Sequence, residues 1–354
     1  MRLLKPKKKQ AIVKHRTFFW FILPSALAML LFIALPIISV VIQSVFVEHE
    51  LVIITSEKCD PFGCVPIKQV DTKATAELYK ENPLGRFNGL GTYINRNHLA
   101  FEEVSKIWAT SENWIQFVKT LYNLPFYKAL AFTLTYTFCV TPLVLLLGFT
   151  VALAVNALPN AAKGPVIFTA ILPMIVTPLI GALILFWMID AEGILGAALQ
   201  VVFNDQNLSL KASPILNWIM LIVYGAWHHS PFAFVVFYAA LQTVPQDTLE
   251  SAIIDGVSRW EKVRYVVIPH LAPVMTFVGL ISLMDNFRVF EPIVGFSSEA
   301  NATSLSWIIY NDLRNGEVQL FGSAATTSIL TIVGVAFLLM PVLIRTWREF
   351  NRPN

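Results

Sequence analysis

Charged residues are scarce in this sequence: Asp, Glu, Lys and Arg make up only 14% of its 354 residues. A soluble globular domain carries about 25%, so the composition excludes that class. Hydrophobic residues make up 56%, and the mean hydropathy is +0.62. The net charge of +3 is too small to indicate nucleic acid as a partner. These values are typical of a polytopic membrane protein, in which each spanning helix needs about 20 apolar residues.

Recognisable catalytic motifs are also lacking. The sequence contains no GxxxxGK[ST] nucleotide-binding loop, no HExxH and no GxSxG. We therefore expect neither an enzyme nor a bound cofactor, and any ATP-driven process would draw its energy from a partner. The histidine pair His228-His229 lacks the further ligands that a metal site needs, so we expect no metal there.

Cysteine is rare, with only Cys59, Cys64 and Cys139. Cys139 lies in an apolar run and is interpreted as a small packing residue. Cys59 and Cys64 flank a four-residue stretch in a polar region, and a disulfide between them is possible if that region lies outside the cytoplasm. Two free thiols are the alternative, and the sequence leaves both open.

Lysine and arginine cluster in residues 1–17, directly before an apolar run at 18–47. That order predicts a cytoplasmic amino terminus followed by a first span, because the run is too long for a signal peptide. Residues 48–125 are polar and predicted to be external, 126–347 hold five further spans, and 348–354 form a basic tail. We predict an all-α fold of six transmembrane helices.

The remaining spans are predicted at about 126–156, 165–189, 214–241, 270–290 and 320–344. Six spans place both termini and the polar segment 245–269 on the same side of the membrane. The short segments on that side are basic, as expected for the cytoplasmic face.

Segment 245–269 is polar and lies between two apolar runs. Asp255-Gly256 is predicted to end a first short helix, because glycine tolerates positive φ. Ser258 followed three residues later by Glu261 has the spacing of a capping box. The pattern predicts two short helices joined at a glycine, an arrangement suited to docking into a groove on a soluble partner.

This segment resembles the cytoplasmic coupling loop of binding-protein-dependent ABC importer permeases, and it is called the coupling loop below. The family pattern is Glu-Ala-Ala, three residues, Gly, nine residues, then Ile-x-Leu-Pro. Glu250-Ser251-Ala252, Gly256 and Val266-Val267-Ile268-Pro269 match its spacing, with conservative changes at three positions. The residues predicted to couple to an ATPase are Glu250, Ser251, Ala252, Asp255, Gly256, Ile268 and Pro269. The last two are expected to end the second helix and begin the next span. The resemblance covers nearly the whole chain except about 48–84, which looks like an insertion.

The resemblance implies a permease subunit of the carbohydrate-uptake, maltose-transporter-like branch, in the bacterial inner membrane. It implies movement of a mono- or oligosaccharide by alternating access. The implied partners are a second permease subunit, an ATPase dimer that binds ATP and magnesium, a periplasmic solute-binding protein and the lipid bilayer.

Polar and aromatic side chains in two predicted spans are candidates for the solute path, because ionisable groups inside spans usually face a protein interior or a water-filled path. By the resemblance, they fall where the maltose-transporter permease holds its sugar: Trp227, His228, His229, Phe232, Ser282, Asp285, Asn286 and Val289. Packing of this polar face against a partner helix is the alternative. Arg288 is expected to point away from the face and to pair with the partner chain.

Two other functions remain open. Asp285, Arg288 and the histidines also suit a permease for an anionic sugar derivative or a polyol phosphate, since arginine binds phosphate in a bidentate manner. An ion-gradient-driven secondary transporter predicts internal repeats of spans, and none is recognisable in the sequence.

Overall fold

The computed structural model describes residues 9–60, 63–205, 209–211, 214–314 and 319–351. For residues 9–17, 57–60, 63–68 and 349–350 it describes the backbone alone. The whole of the predicted basic amino-terminal segment, 1–17, therefore lies outside the residues whose side chains are described. The chain divides into two units, one of Met1–Tyr93 with Asp312–Ile329 and one of Ile94–Asn311 with Leu330–Asn354.

The amino-terminal part of the chain combines helices with two small antiparallel sheets. Its elements are α1 (Lys9–Met29), α2 (Leu35–Gln43), β1 (Phe46–Val47), β2 (Ile53–Asp60), β3 (Gly63–Val70), α3 (Thr72–Glu81), β4 (Arg86–Phe87) and α4 (Gly91–Ile94). Strand β1 pairs with β4, and β2 pairs with β3. The first span ends at Gln43, four residues before the predicted boundary, because Phe46–Val47 forms a strand.

The β2–β3 hairpin lies within the predicted external segment, where only loop and insertion were expected. Its strands are rich in isoleucine, valine and threonine, which favour extended backbone. The register places Cys59 opposite Cys64. The side chains of both cysteines lie outside the described residues, so the disulfide stays a prediction.

The rest of the chain is helical. Its elements are α5 (Phe101–Thr110), α6 (Trp114–Leu121), α7 (Pro125–Asn156), α8 (Asn160–Ile175), α9 (Pro178–Met188), α10 (Ile194–Phe203), α11 (Pro214–Leu241), α12 (Gln246–Ile254), α13 (Arg259–Lys262), α14 (Ile268–Phe287), α15 (Glu291–Gly295), α16 (Leu305–Arg314) and α17 (Phe321–Phe350). The described chain is thus predominantly helical, as predicted.

In the part of the chain that the structure describes, five helical stretches are long and apolar enough to cross a membrane: Phe18–Gln43, Pro125–Asn156, Pro214–Leu241, Arg259–Phe287 and Phe321–Arg348. The pair α8 and α9 supplies a sixth candidate, which is bent by 94°. The number six agrees with the sequence prediction.

This sixth candidate, span 3, is predicted from the sequence at about 165–189, and its bend is a feature that the sequence analysis does not include. Val176 and Thr177 have extended backbone, with ψ of 129° and 143°. The cause is Pro178, which opens α9, because a proline pushes the residue before it out of the helical region and donates no hydrogen bond.

Two other prolines are accommodated without breaking the helix. A π-helical turn, Leu30–Ala34, joins α1 to α2 just before Pro36, and a second one, Val263–Val267, joins α13 to α14 just before Pro269. The wider turn relieves the clash between the proline ring and the preceding carbonyl groups. Proline therefore has opposite outcomes at different places in this chain.

The core of the second unit is formed where α7 packs against α11 and α14. Phe132, Tyr136, Phe234 and Leu271 are buried there. The helices approach closely because small residues lie at their contacts. At Gly148 a Cβ would lie 2.5 Å from the Cβ of Ala233, so a larger residue would push α7 away from α11.

Candidate functional site

The first helix of the coupling loop ends as predicted. Gly256 has φ of +71°. Its N–H donates to the carbonyl of Ile253 at 3.0 Å, and the N–H of Val257 donates to the carbonyl of Ala252 at 3.1 Å. These two bonds form a Schellman motif, which requires a left-handed residue at the position of Gly256. The prediction of a glycine-terminated helix is confirmed.

The second helix begins with the predicted capping box. The Ser258 N–H donates to the Glu261 carboxylate at 2.9 Å, and the Glu261 N–H donates to the Ser258 hydroxyl at 3.3 Å. The expectation that Ile268 and Pro269 end this helix is wrong. The helix continues from Arg259 to Phe287, because the π-helical turn accommodates the missing N–H of Pro269.

The coupling loop presents apolar side chains to its surroundings. Glu250, Ser251 and Asp255 are exposed, whereas Ala252 is buried against the protein. Ile254, one helical turn after Glu250, is 86% exposed. The other large apolar side chains exposed in this polar segment are Ile253, Trp260 and Tyr265. Such a patch, bordered by charged residues, is typical of a protein-interaction surface.

A second site is a cavity of about 380 Å³, called the polar cavity below. It is lined by Tyr136 of α7, Pro178 of α9, His229 of α11, Asp285 and Asn286 of α14, Arg288 and Val289 beyond it, and Glu291 and Pro292 of α15. The carboxy-terminal end of α14, which is remote from the coupling loop, therefore contributes Asp285 and Asn286 to the wall of the cavity.

Asn286 is held in place from behind the cavity. Its side-chain amide donates to the Thr141 hydroxyl at 3.0 Å and to the Ser282 hydroxyl at 3.2 Å. The Asn286 side-chain carbonyl is buried and has no hydrogen-bond partner among the described residues, and the same is true of the Tyr136 hydroxyl. Buried polar groups are nearly always hydrogen-bonded, so each of these two atoms, on residues that line the cavity, has an unused hydrogen-bonding position.

The charges of the polar cavity lie at the end of α14. Arg288 donates to the Asp285 carboxylate at 2.9 Å. The expectation that Arg288 points away from the polar face is wrong, because α14 ends at Phe287 and Arg288 no longer follows helical geometry. Glu291 is exposed at the start of α15 and makes no hydrogen bond or ion pair with the residues that the structure describes.

The structure brings together four of the eight predicted path residues: His229, Asp285, Asn286 and Val289. Ser282 lies behind Asn286 and is buried. The other three are on α11 but do not line the polar cavity.

Trp227 lines a separate apolar cavity of about 330 Å³ between α9 and α11. His228 is buried and stacks on Tyr224, with ring centroids 5.6 Å apart. Phe232 packs against the core. These three residues therefore lie away from the polar cavity, and their place in the solute path stays a prediction.

Sequence reasoning missed Tyr136, Pro178, Glu291 and Pro292 as lining residues. Tyr136 is the one with a detectable signal, since a phenol inside a span needs a polar partner. Its hydroxyl approaches α11 because Gly225 has no side chain, and a Cβ there would collide with it. Nothing in the local sequence indicates the other three.

Comparison with known proteins identifies relatives. The sequence profile of the binding-protein-dependent transport system inner membrane component family matches residues 117–349. A trehalose/maltose transport system permease protein of Thermococcus litoralis is 27% identical over 222 residues, which cover 61% of this chain and 73% of that protein. A lactose transport system permease protein of Rhizobium radiobacter is 27% identical over 226 residues, covering 62% and 75%.

Solved structures agree on the fold. A chain of a bacterial alginate ABC transporter, in complex with an alginate pentasaccharide-bound periplasmic protein, superimposes with a TM-score of 0.66 at 17% identity, covering 99% of this chain and 100% of that one. Because the family profile covers well over half of the sequence, the chain belongs to the binding-protein-dependent transport system inner membrane component family.

Proposed function

We propose that this chain is the sugar-translocating permease subunit of an ATP-driven importer, which moves a mono- or oligosaccharide across the inner membrane by alternating access. The observation that carries the proposal is one continuous helix, Arg259–Phe287. The capped coupling loop lies at its start and the polar cavity at its end. At 1.5 Å per residue this helix is about 43 Å long, enough to connect a membrane surface with the interior of the bilayer.

The proposed orientation follows from the basic residues. Lysine and arginine cluster before the first span, and the tail after the last span is basic, which favours cytoplasmic termini. The coupling loop is then cytoplasmic as well. It would contact a separate ATPase dimer, which binds ATP and magnesium, through Glu250, Ser251, Ala252, Asp255, Gly256, Ile268 and Pro269. A second permease subunit and a periplasmic solute-binding protein complete the proposed assembly.

The proposed solute is a sugar. The names of the relatives specify trehalose, maltose and lactose, and the polar cavity offers unpartnered hydroxyl and amide groups. An anionic sugar derivative is the second candidate, because Arg288 lines the cavity and a related solved transporter imports the acidic polysaccharide alginate.

Uptake in proteoliposomes tests this function. The chain is reconstituted with its partner permease, its ATPase and its binding protein, and radiolabelled trehalose, maltose and lactose are offered with and without internal ATP. We expect uptake of at least one sugar that requires both ATP and the binding protein. Uptake driven by an ion gradient in the absence of the ATPase would contradict the proposal and favour a secondary transporter.

A further inference from the structure

The charges that line the polar cavity do not cancel. Three acidic or basic side chains of formal charge lie there: Asp285, Arg288 and Glu291. The Asp285–Arg288 pair, 2.9 Å apart, neutralises itself. Glu291 is left without a hydrogen bond or ion pair among the described residues, so the net charge that the chain contributes to the cavity is negative.

The arginine that would attract an anion is already occupied. An N–H of the Arg288 guanidinium group donates to Asp285, which lies three residues earlier on the last turn of α14. An incoming carboxylate or phosphate would have to compete with Asp285 for that group, and it would also approach Glu291. Like charges at close range in a partly desolvated site are strongly unfavourable.

The neutral polar groups of the cavity match hydroxyl groups instead. The Tyr136 hydroxyl and the Asn286 side-chain carbonyl belong to residues that are each only 1% exposed, and neither atom has a partner among the described residues. A phenol donates or accepts one bond, and an amide oxygen accepts. A sugar hydroxyl both donates and accepts, so it satisfies either atom, whereas a carboxylate cannot donate to the Asn286 carbonyl.

We propose that the polar cavity selects uncharged, hydroxyl-rich solutes over anionic ones, with Glu291 as the residue that excludes negative charge and with Tyr136 and Asn286 as hydrogen-bonding partners. This inference rests on the proposed function as a sugar permease and decides between its two solute classes. Glu291 and Tyr136 lie outside the set of path residues that the sequence suggests.

The electrostatic potential of the cavity can be measured without knowing the solute. His229 lines the cavity and is partly exposed, so His229→Cys, in a chain with Cys59, Cys64 and Cys139 replaced by serine, provides a reporter thiol. The assembled transporter, with its partner permease and ATPase, is treated with cationic, anionic and neutral methanethiosulfonate reagents. The neutral hydroxyethyl reagent corrects for steric access.

We expect the cationic reagent to react faster than the anionic one. Glu291→Gln should lower the ratio of the two rates on the order of fivefold, because one of the charged side chains that line the same cavity as the thiol is removed. Arg288→Gln should raise the ratio by a similar factor. A ratio that stays unchanged in both variants, or an anion preference in the parent, would overturn the proposal.

Ser251→Cys on the coupling loop is the matched control. It lies at the other end of Arg259–Phe287, farther from Glu291 than the Debye length of about 8 Å at physiological ionic strength. Its ratio should not respond to Glu291→Gln. The labelling measurement does not depend on transport. If the transporter shows ATP-dependent sugar uptake but no preference for the cationic reagent, only this inference is contradicted. If it shows that preference but no such uptake, only the proposed function is contradicted.

Discussion

The backbone conformation of Gly256 ends the first short helix of the coupling loop. Gly256 has φ of +71°, and a Cβ built on it would meet no other atom within 4 Å. The cost of a substitution therefore comes from backbone strain alone, about 1–2 kcal/mol. We expect Gly256→Asp to leave the chain inserted in the membrane but to abolish stimulation of ATP hydrolysis by the solute-loaded binding protein.

Gly164→Asp is a matched control for this change. Gly164 is also surrounded by open space, but it lies in α8 and its φ is not positive. Membrane levels of both variants are compared by immunoblot and ATPase activity in the reconstituted complex. Normal stimulation in the Gly256 variant would show that this conformation is not needed for coupling.

Asn286 combines a structural and a binding role that two variants can separate. Asn286→Ala removes the bonds to Thr141 and Ser282 and also the unpartnered amide oxygen of a residue that lines the polar cavity. Thr141→Val removes the first of these bonds from the α7 side and leaves the cavity wall intact. A neutral hydrogen bond contributes about 0.5–1.5 kcal/mol, so both variants should unfold at a lower temperature.

Only the Asn286 variant should in addition weaken solute affinity, by up to about tenfold. The apparent KM for uptake in proteoliposomes and the melting temperature in detergent are the two measurements. Equal KM values for Asn286→Ala and Thr141→Val would assign Asn286 a purely structural role.

At this scale the sequence predicts some features well and others poorly. Glycine with a positive φ and the Ser258–Glu261 capping box are local, because both depend on residues within a few positions. Arg288 illustrates the opposite case. The direction of the Arg288 side chain depends on where α14 ends. Helical spacing cannot predict that end, because it treats the helix as continuing.

The broken span of α8 and α9 is joined to α11 by a tyrosine side chain. The Tyr224 hydroxyl donates to the carbonyl of Pro178 at 2.6 Å. Tyr224 also packs over Gly181, where a Cβ would lie 2.6 Å from the tyrosine oxygen. This tyrosine thus holds α9 against α11 at the break.

We expect Tyr224→Phe to lower the melting temperature of the detergent-solubilised chain by about 2 °C, the shift that corresponds to about 1 kcal/mol in a protein of this size. Tyr238→Phe is the control, because its ring is on the same helix and its hydroxyl has no hydrogen bond among the described residues. Equal shifts would contradict a specific role for the bond to Pro178.

The existence of the spans follows from hydropathy, which is a property of composition over about 20 residues. The breaks and π-helical turns within the spans do not follow from hydropathy, because prolines within apolar helices affect the backbone differently. Pro178 breaks its helix, whereas Pro36 and Pro269 follow π-helical turns. The sequence around each proline does not distinguish these outcomes, and the contact of Tyr224 with Pro178, which links positions 46 residues apart, is equally absent from a local pattern.

Thiol labelling tests the topology of the whole molecule. The basic amino terminus predicts that Cys59 and Cys64 are external, and the hairpin register places them opposite each other. Directly opposed residues in an antiparallel pair have Cβ atoms about 4.5–5.5 Å apart, close to the separation that a disulfide needs.

We expect a membrane-impermeant maleimide, added to intact cells, to label this pair only after reduction. A Cys59→Ser, Cys64→Ser variant controls for labelling of Cys139, which lies on α7. Labelling without reduction would indicate two free thiols. Labelling only in inverted vesicles would reverse the proposed orientation.

The unbroken helix from the coupling loop to the polar cavity also has a mechanical consequence. A rod of about 43 Å acts as a lever arm, so a tilt of about 4° around one end displaces the other end by about 3 Å, roughly the diameter of a water molecule. A small rocking of the loop at the membrane surface is therefore enough to change which molecules pass Asp285 and Asn286.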